Sequence, residues 1–418
     1  MTFGDDAKNP DSFYLKYVMS PETCPHEGNG GLDFSFSDNG ARDRSTKGAV
    51  TEDGTVYLWG WRGGMACDKP MTLDYLPLGS LGPEVTENVE MVAAGANIYS
   101  VVTKNGDLYD LRNALEARKM EFDGEKVVSV SVGGEHVGAV TESGKLYMWS
   151  YGHNNYGQIG NNSTNTSQDP VKVLENVKFV ELGIYTSAAV TQDGSLWMWG
   201  LNDSGQIGNG GTENQLTPVK ILENVVSFSQ TGEFCAAITK DGELWMWGAN
   251  YGGQIGNGSY ENQLEPLKIL ENVAFVSLGF DTSGAVTRDG KLYVWGNIKA
   301  VLPDGPGAKT VPECIVDKDV VSVSLGEYHI GVVKSDASLW MGGINVYGQV
   351  GIATVDVQGN LEKVMDDVMC VRLTRNYSTA VTLDGTLYGW GQSYNSTYTQ
   401  CGRIYREPQK LLEDVSIP

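Results

Sequence analysis

Four histidines and six cysteines are the scarcest side chains in this 418-residue chain that could do chemistry, and their spacing argues against a reactive centre. His26 and His153 stand alone in loop-like stretches, whereas His136 and His329 share a Gly-x-x-His setting in "GGEHVGAVT" (133–141) and "GEYHIGVV" (326–333). A histidine that recurs in one setting suits a structural hydrogen bond, and no group of histidines forms a metal or acid–base cluster. Cys24, Cys67, Cys235, Cys314, Cys370 and Cys401 include no C-x-x-C pair, so zinc and thioredoxin-like chemistry are not indicated. Cys235, inside an apolar run, reads as a buried free thiol. The Gly-Gln-Ile-Gly runs at 157–160, 205–208 and 253–256, with Gly-Gln-Val-Gly at 348–351, have the glycine density of a phosphate cradle. They lack the Lys-Ser/Thr of a P-loop and open no helix, so glycine there serves a sharp loop and Gln a local backbone hydrogen bond. We expect no catalytic residue, no metal, no cofactor and no enzymatic activity.

These runs belong to a repeat. With the Thr of "AVT" as marker, copies fall at Thr51, Thr103, Thr141, Thr191, Thr239, Thr287, the equivalent Lys334, and Thr382, spaced 52, 38, 50, 48, 48, 47 and 48 residues. A near-constant period is the mark of a repeat architecture. One unit, "PVKILENVVSFSQTGEFCAAITKDGELWMWG" (218–248), contains four short β-branched or aromatic runs, which predict four strands. The last two are joined by Asp241-Gly242. Asp-Gly or Asn-Gly recurs at 53–54, 105–106, 193–194, 289–290 and 384–385, which predicts a tight type I′ hairpin in each unit. Asp336-Ala337 breaks this pattern and is expected to strain or alter its turn.

In "SLWMWG", Leu196 and Met198 point one way and Trp197 and Trp199 the other, so the strand is apolar on both faces and buried on both sides. Sheets stacked face to face around an axis, as in a β-propeller, satisfy that requirement. The fold class is therefore all-β: a propeller of about 48-residue, four-stranded blades, with eight blades predicted from the eight markers. An aromatic six residues after the marker (Tyr57, Tyr109, Tyr147, Trp197, Trp245, Tyr293, Trp340, Tyr388) and a Trp two further on in six copies read as core packing. The C-terminal "EPQKLLEDVSIP" (407–418) and the N-terminal "LDFSFS" (32–37) look like complementary halves of one unit, which predicts closure by pairing of the terminal segments. Residues 1–31 lie outside the repeat as an acidic arm, and 32–418 form the propeller domain.

Composition restricts the partners. Thirty Lys and Arg against 52 Asp and Glu give a net charge of −22, which repels nucleic acid and anionic lipid. The N-terminus has no signal-peptide pattern and no window holds eighteen apolar residues. We expect a cytoplasmic monomer, exported only if a signal peptide has been removed.

The run "WGxNxxGQIGxG" at Trp199–Gly210 and Trp247–Gly258, with the Gly-x-x-His upstream, resembles the regulator of chromosome condensation repeat family over roughly residues 32–418, in the style of bacterial members. The resemblance implies a propeller, usually seven-bladed, against the eight copies counted here. In the exchange-factor members it implies nucleotide release from a small GTPase and chromatin binding through a basic tail, yet residues 1–30 carry five acidic residues and two lysines. Propeller-type enzyme inhibitors resemble the architecture as protein-binding discs. The expected function is a protein–protein interaction scaffold, with regulation of a GTPase or inhibition of an enzyme as alternatives.

On a repeat scaffold the letters that fail to repeat are the informative ones. Before the Gly-Gln of the loops these are Asn155-Tyr156, Asp203-Ser204, Tyr251-Gly252 and Val346-Tyr347. Loops at one end of a propeller are natural binding surfaces and tyrosine is a good contact residue. The predicted partner contacts are Asn155, Tyr156, Asp203, Ser204, Tyr251 and Tyr347. Trp61 and Arg62 join them because Gly60-Trp61-Arg62 echoes a Gly-Trp-Arg-His-Thr run of photoreceptive family members.

Overall fold

The structure is a computed structural model and describes residues 32–35, 46–50, 55–62, 65–72, 88–95, 98–112, 116–302, 307–354, 358–392 and 404–415. The arm at 1–31 lies outside them. Eight four-stranded antiparallel sheets make up the fold. Each is built from consecutive strands, and we number them blades 1 to 8: residues 32–72, 89–120, 127–174, 177–222, 225–270, 273–316, 320–365 and 368–412. Blade 4 is representative, with strands Val177–Leu182, Thr186–Thr191, Leu196–Gly200 and Gln215–Leu222 in that order from the axis outward. No helix among the described residues is long and apolar enough to cross a membrane.

The two-faced third strand packs as its sequence requires. Leu146 and Met148 of blade 3 share a core cluster with Ala189 and Trp199 of blade 4, and Trp197 packs against it. Leu196 and Met198 then meet Cys235, Ala237 and Trp247 of blade 5. The apolar face of one blade thus covers the tryptophan face of the next, and Trp149, Trp199, Trp247, Trp295 and Trp390 are fully buried. Cys235 is buried and free.

Two expectations are corrected. The described hairpin turns are not type I′, and the one expected at Asp53-Gly54 lies outside the described residues. In blade 4, Gly194 N donates to Thr191 O (2.8 Å) and Thr191 N to Ser195 O (2.9 Å), and only Gly194 has positive φ, at 80°. This is a type I turn followed by a left-handed glycine bulge. Within this turn Asp193 Oδ1 accepts from Thr191 Oγ1 (2.6 Å) and Ser195 N (3.0 Å), bonds that also lower its pKa. Ala337 keeps the same turn at φ 60°, so the strain falls on that residue while the hairpin geometry is retained.

The second correction concerns closure. The C-terminal strand Ile404–Leu412 pairs with Leu387–Gln392 of its own blade, and the N-terminal strand Leu32–Ser35 pairs with Thr46–Val50. Each blade begins at an inner strand and ends at an outer one, so no half-unit is left over. Blades 8 and 1 instead meet where Ile404–Leu412 lies against Met65–Thr72.

Candidate functional site

The long loops between third and fourth strands are built around a buried asparagine. Asn202 is fully buried; its Oδ1 accepts from Ile207 N (2.9 Å) and its Nδ2 donates to Asn209 Oδ1 (3.1 Å), Gly211 O (3.0 Å) and Glu213 O (3.1 Å). Asn154, Asn250 and Asn345 accept from Ile159, Ile255 and Val350 in the same way, each at 2.9 Å. Gln206 Oε1 accepts from Ser204 N at 2.9 Å, the local bond expected of the Gly-Gln pair. The next blade then locks the loop: Trp247 Nε1 donates to Gln206 O at 3.0 Å, and a Cβ on Gly208 would sit 2.8 Å from that indole. Trp199, Trp295 and Trp390 hold Gln158 O, Gln254 O and Gln349 O likewise, at 2.9, 2.8 and 3.0 Å. Loops fixed at so many points present their tips with little ordering left to be done on binding.

Their tips share one end of the ring with the connections between first and second strands, around the mouth of the central channel. There a cavity of about 290 Å³ is lined by residues of blades 3 to 8. Its charged lining residues are Glu181, Asp203, Glu233, Glu327 and Arg375, four carboxylates against one guanidinium. Leu182, Ile184, Leu201, Leu278 and Leu325 supply apolar wall, and Phe280 lines it while 48% exposed. Glu181 is buried and accepts from Gln230 N (3.1 Å) in the next blade. Arg375 Nε lies 3.0 Å from Glu327 Oε2. Tyr251 Oη donates to Glu233 Oε2 (3.0 Å); partial burial, then the Glu233 charge, raise the pKa of this phenol, which stays a donor at neutral pH.

The predicted contacts divide accordingly. Asp203 and Ser204 line the cavity. Tyr156 packs on the lining residue Tyr185 with ring centroids 5.0 Å apart, and Tyr251 reaches the cavity through Glu233. Asn155 is exposed and Tyr347 half-buried in the equivalent loops, outside the lining. Trp61 and Arg62 fall in the third strand of blade 1, opposite Ala66 and Met65, and their side chains lie outside the described residues. The sequence reading missed Glu181, Glu233, Phe280, Glu327 and Arg375. Apart from Glu181, which sits on a first strand two residues before Gly183, their signal lay in the two variable letters of the Gly-x-x-His segment, which read Gly-Glu at 134–135, Ile-Tyr at 184–185, Gly-Glu at 232–233, Phe-Asp at 280–281, Glu-Tyr at 327–328 and Arg-Asn at 375–376.

The histidines take the structural role expected. His136 Nε2 lies 3.0 Å from Ser187 Oγ and His329 Nε2 2.9 Å from Ser378 Oγ, each across a blade seam. Burial pushes their pKa values down to about 4 and about 3, so both are neutral at pH 7. Among the described residues no three His, Cys, Asp or Glu are grouped to hold a metal ion.

Known proteins match this arrangement. The regulator of chromosome condensation (RCC1) repeat is matched at residues 193–238 and 241–286, and a second form of it at 177–206. The chain is 31% identical over 175 residues to the E3 ubiquitin-protein ligase HERC2 of Homo sapiens, covering 36% of this chain and 3% of that protein. It is 32% identical over 162 residues to the Ultraviolet-B receptor UVR8 of Arabidopsis thaliana, covering 34% of this chain and 36% of the receptor. The match thus spans only about a third of the receptor and a small part of the ligase. Among solved structures, yeast RCC1 (Prp20) superposes with a TM-score of 0.61 at 18% identity over 94% of this chain and 87% of that one, and a second structure of it, from Saccharomyces cerevisiae, with 0.56 at 21% over 71% and 80%. Residues 177–238 and 241–286 therefore carry RCC1 repeats, set in a ring that shares the propeller fold of solved RCC1 proteins.

Proposed function

We propose that the protein is a non-enzymatic interaction scaffold that binds another protein through the loops around the channel mouth. The observation that carries this reading is the pairing of rigid, asparagine-stapled loops, whose tips expose Tyr251 (51%) and Val346 (52%), with an acidic cavity lined by the half-exposed Phe280 (48%). Exposed aromatic and aliphatic groups among polar ones, on a surface that need not reorganise, are the composition of a protein interface. Protein partners also appear among the similar proteins: Prp20 is described as binding Gsp1p and histones and in complex with Kap60. In this reading the chain is a cytoplasmic monomer of bacterial type, and the charge of −22 disfavours nucleic acid and anionic membrane as partners.

The test is affinity purification from the source organism with mass spectrometry, comparing wild type with a Tyr156→Ala/Tyr251→Ala/Val346→Ala variant. The reading predicts a specific partner lost in the variant; the same partner retained in full would reject it. Regulation of a small GTPase is the second reading, carried by the family resemblance, and a nucleotide-release assay separates the two.

A further inference from the structure

We infer that the channel mouth receives an arginine side chain of the protein partner, in a niche formed by Glu233, Tyr251, Phe280 and Asp203. This inference rests on the protein-binding reading above. The mouth already seats one arginine of its own chain. Arg375 Nε lies 3.0 Å from Glu327 Oε2, and its guanidinium carbon is 5.9 Å from the centroid of the Tyr328 ring. A carboxylate fixes the charge and an aromatic ring lies beside the planar group, the pairing for which guanidinium is suited.

Another side of the same cavity repeats the acid and the aromatics, and among the described lining residues it holds no cation of its own. Glu233 lies in the first-to-second strand connection of blade 5, as Glu327 does in blade 7, and its carboxylate accepts from the Tyr251 phenol. Phe280, in the corresponding connection of blade 6, lines the cavity with nearly half its surface exposed. Asp203 stands on the neighbouring loop, where Gln206 Nε2 lies 3.2 Å from its Oδ1. The cavity lining carries a formal charge of −3, from four carboxylates and one guanidinium, and its remaining wall is largely apolar or glycine.

That combination selects a long, partly apolar side chain with a delocalised cation. A bare metal ion would leave the apolar wall unused, and an anion is repelled. A guanidinium can bond a carboxylate while lying against a ring, whereas an ammonium does so only as a point charge. The exposed Tyr251 and Val346 lie on the loop tips outside the cavity lining, which gives the backbone carrying such a side chain a surface to run across.

The experiment is fluorescence anisotropy on the full chain with a labelled twelve-residue Gly/Ser peptide carrying two arginines. A matched peptide carries two citrullines, which keep the shape and remove the charge. The arginine peptide is expected to bind at least about tenfold tighter than its citrulline counterpart. E233Q/D203N is expected to abolish most of that difference. E223Q/E271Q makes an equal charge change at the Lys220 and Lys268 pairs on the outer strands and is expected to leave binding intact. Equal affinity in E233Q/D203N and wild type overturns the inference, as does equal loss in the control pair, which would mean diffuse attraction to the −22 surface. Should E233Q/D203N fail to fold, Y251A/F280A, with the carboxylates intact, carries the test and is expected to weaken binding severalfold. Peptide binding indifferent to E233Q/D203N, alongside a partner still captured through the loop tips, overturns this inference alone and leaves the protein-binding reading standing.

Discussion

Asp110 occupies, in blade 2, the position that Met148, Met198 and Met246 fill in blades 3, 4 and 5. Blade 2 has no Gly-Gln loop, so the tryptophan of the next blade finds no loop carbonyl. Trp149 Nε1 donates instead to Asp110 Oδ2 (2.6 Å), Tyr151 Oη donates to the same oxygen (2.9 Å), and Ser100 Oγ donates to Oδ1 (2.5 Å). A buried carboxylate has taken the place of a missing backbone acceptor. Its burial raises the pKa above 3.8 despite these bonds. The folded state therefore holds the proton more tightly than the unfolded chain, and the stability this adds is greatest at pH below 3.8 and is lost as pH rises through the raised value. Asp110→Asn can keep an oxygen toward Trp149 and donate its amide to Ser100. It is expected to fold normally and to lose this pH dependence in denaturant titrations. Asp110→Met, which restores the common residue, strands buried donors and is expected to cost roughly 2–4 kcal/mol.

The seam between a loop and the next blade's tryptophan explains why some copies of the repeat are irregular. Blade 6 replaces the Gly-Gln loop with a one-turn helix, Ile298–Val301, and Ile298, Val301 and Leu302 are buried in the seam with blade 7. Blade 7 has Gly342 where six blades have tryptophan and blade 2 has Leu111, and a Cβ there would come within 2.8 Å of Leu302. At the seam of blades 6 and 7 loop and tryptophan are thus replaced together, whereas at the seam of blades 2 and 3 the tryptophan stays and Asp110 supplies its acceptor. Gly208→Ala tests this. It forces a left-handed φ of +83° on alanine and drives a methyl against the Trp247 ring. The expected cost is roughly 2–3 kcal/mol in chemical denaturation. Gly211→Ala, three residues on with nothing nearer than 3.8 Å, is expected to be close to neutral. Equal effects of the two would contradict the seam.

Over the whole ring, stability depends on every seam staying dry. His136 and His329 each bridge one seam, with pKa values pushed down from 6.5 to about 4 and about 3 by burial. A depressed pKa on a base means that the stability is fully present above 6.5 and falls as pH drops toward the folded values. Full protonation of His136 would cost roughly 3 kcal/mol, and that of His329 somewhat more. Urea titrations between pH 7 and 4 are expected to show a decline that is blunted in H136Q/H329Q. An undiminished decline would assign acid sensitivity elsewhere. Because blades 8 and 1 meet through Ile404–Leu412 against Met65–Thr72, deleting residues 404–418 should remove the outer strand of blade 8 together with that contact and loosen the ring at this junction. Hydrogen exchange should then rise mainly at residues 368–392, packed around Cys370, Val381 and Leu387, while blades 3 to 6 keep their protection.

What the sequence determined by itself is whatever repeats: the four-strand unit, the count of eight, the two-faced tryptophan strand and the structural histidines. Each is a local pattern of residue types at a fixed place in the unit, recurring in several copies. The Asp-Gly turn was located but mistyped, because the choice between type I′ and a bulged type I depends on where the strands close, here with Thr191 N donating to Ser195 O, and a dipeptide does not show that. Asp203 and Ser204 were legible as variable letters on a fixed loop, whereas Glu181, Glu233, Phe280, Glu327 and Arg375 were not. These five come from five blades and are brought together only where the ring curves round its axis. The tertiary structure alone decided the site, because a cavity at the centre of a ring joins residues about 48 positions apart that no local pattern connects.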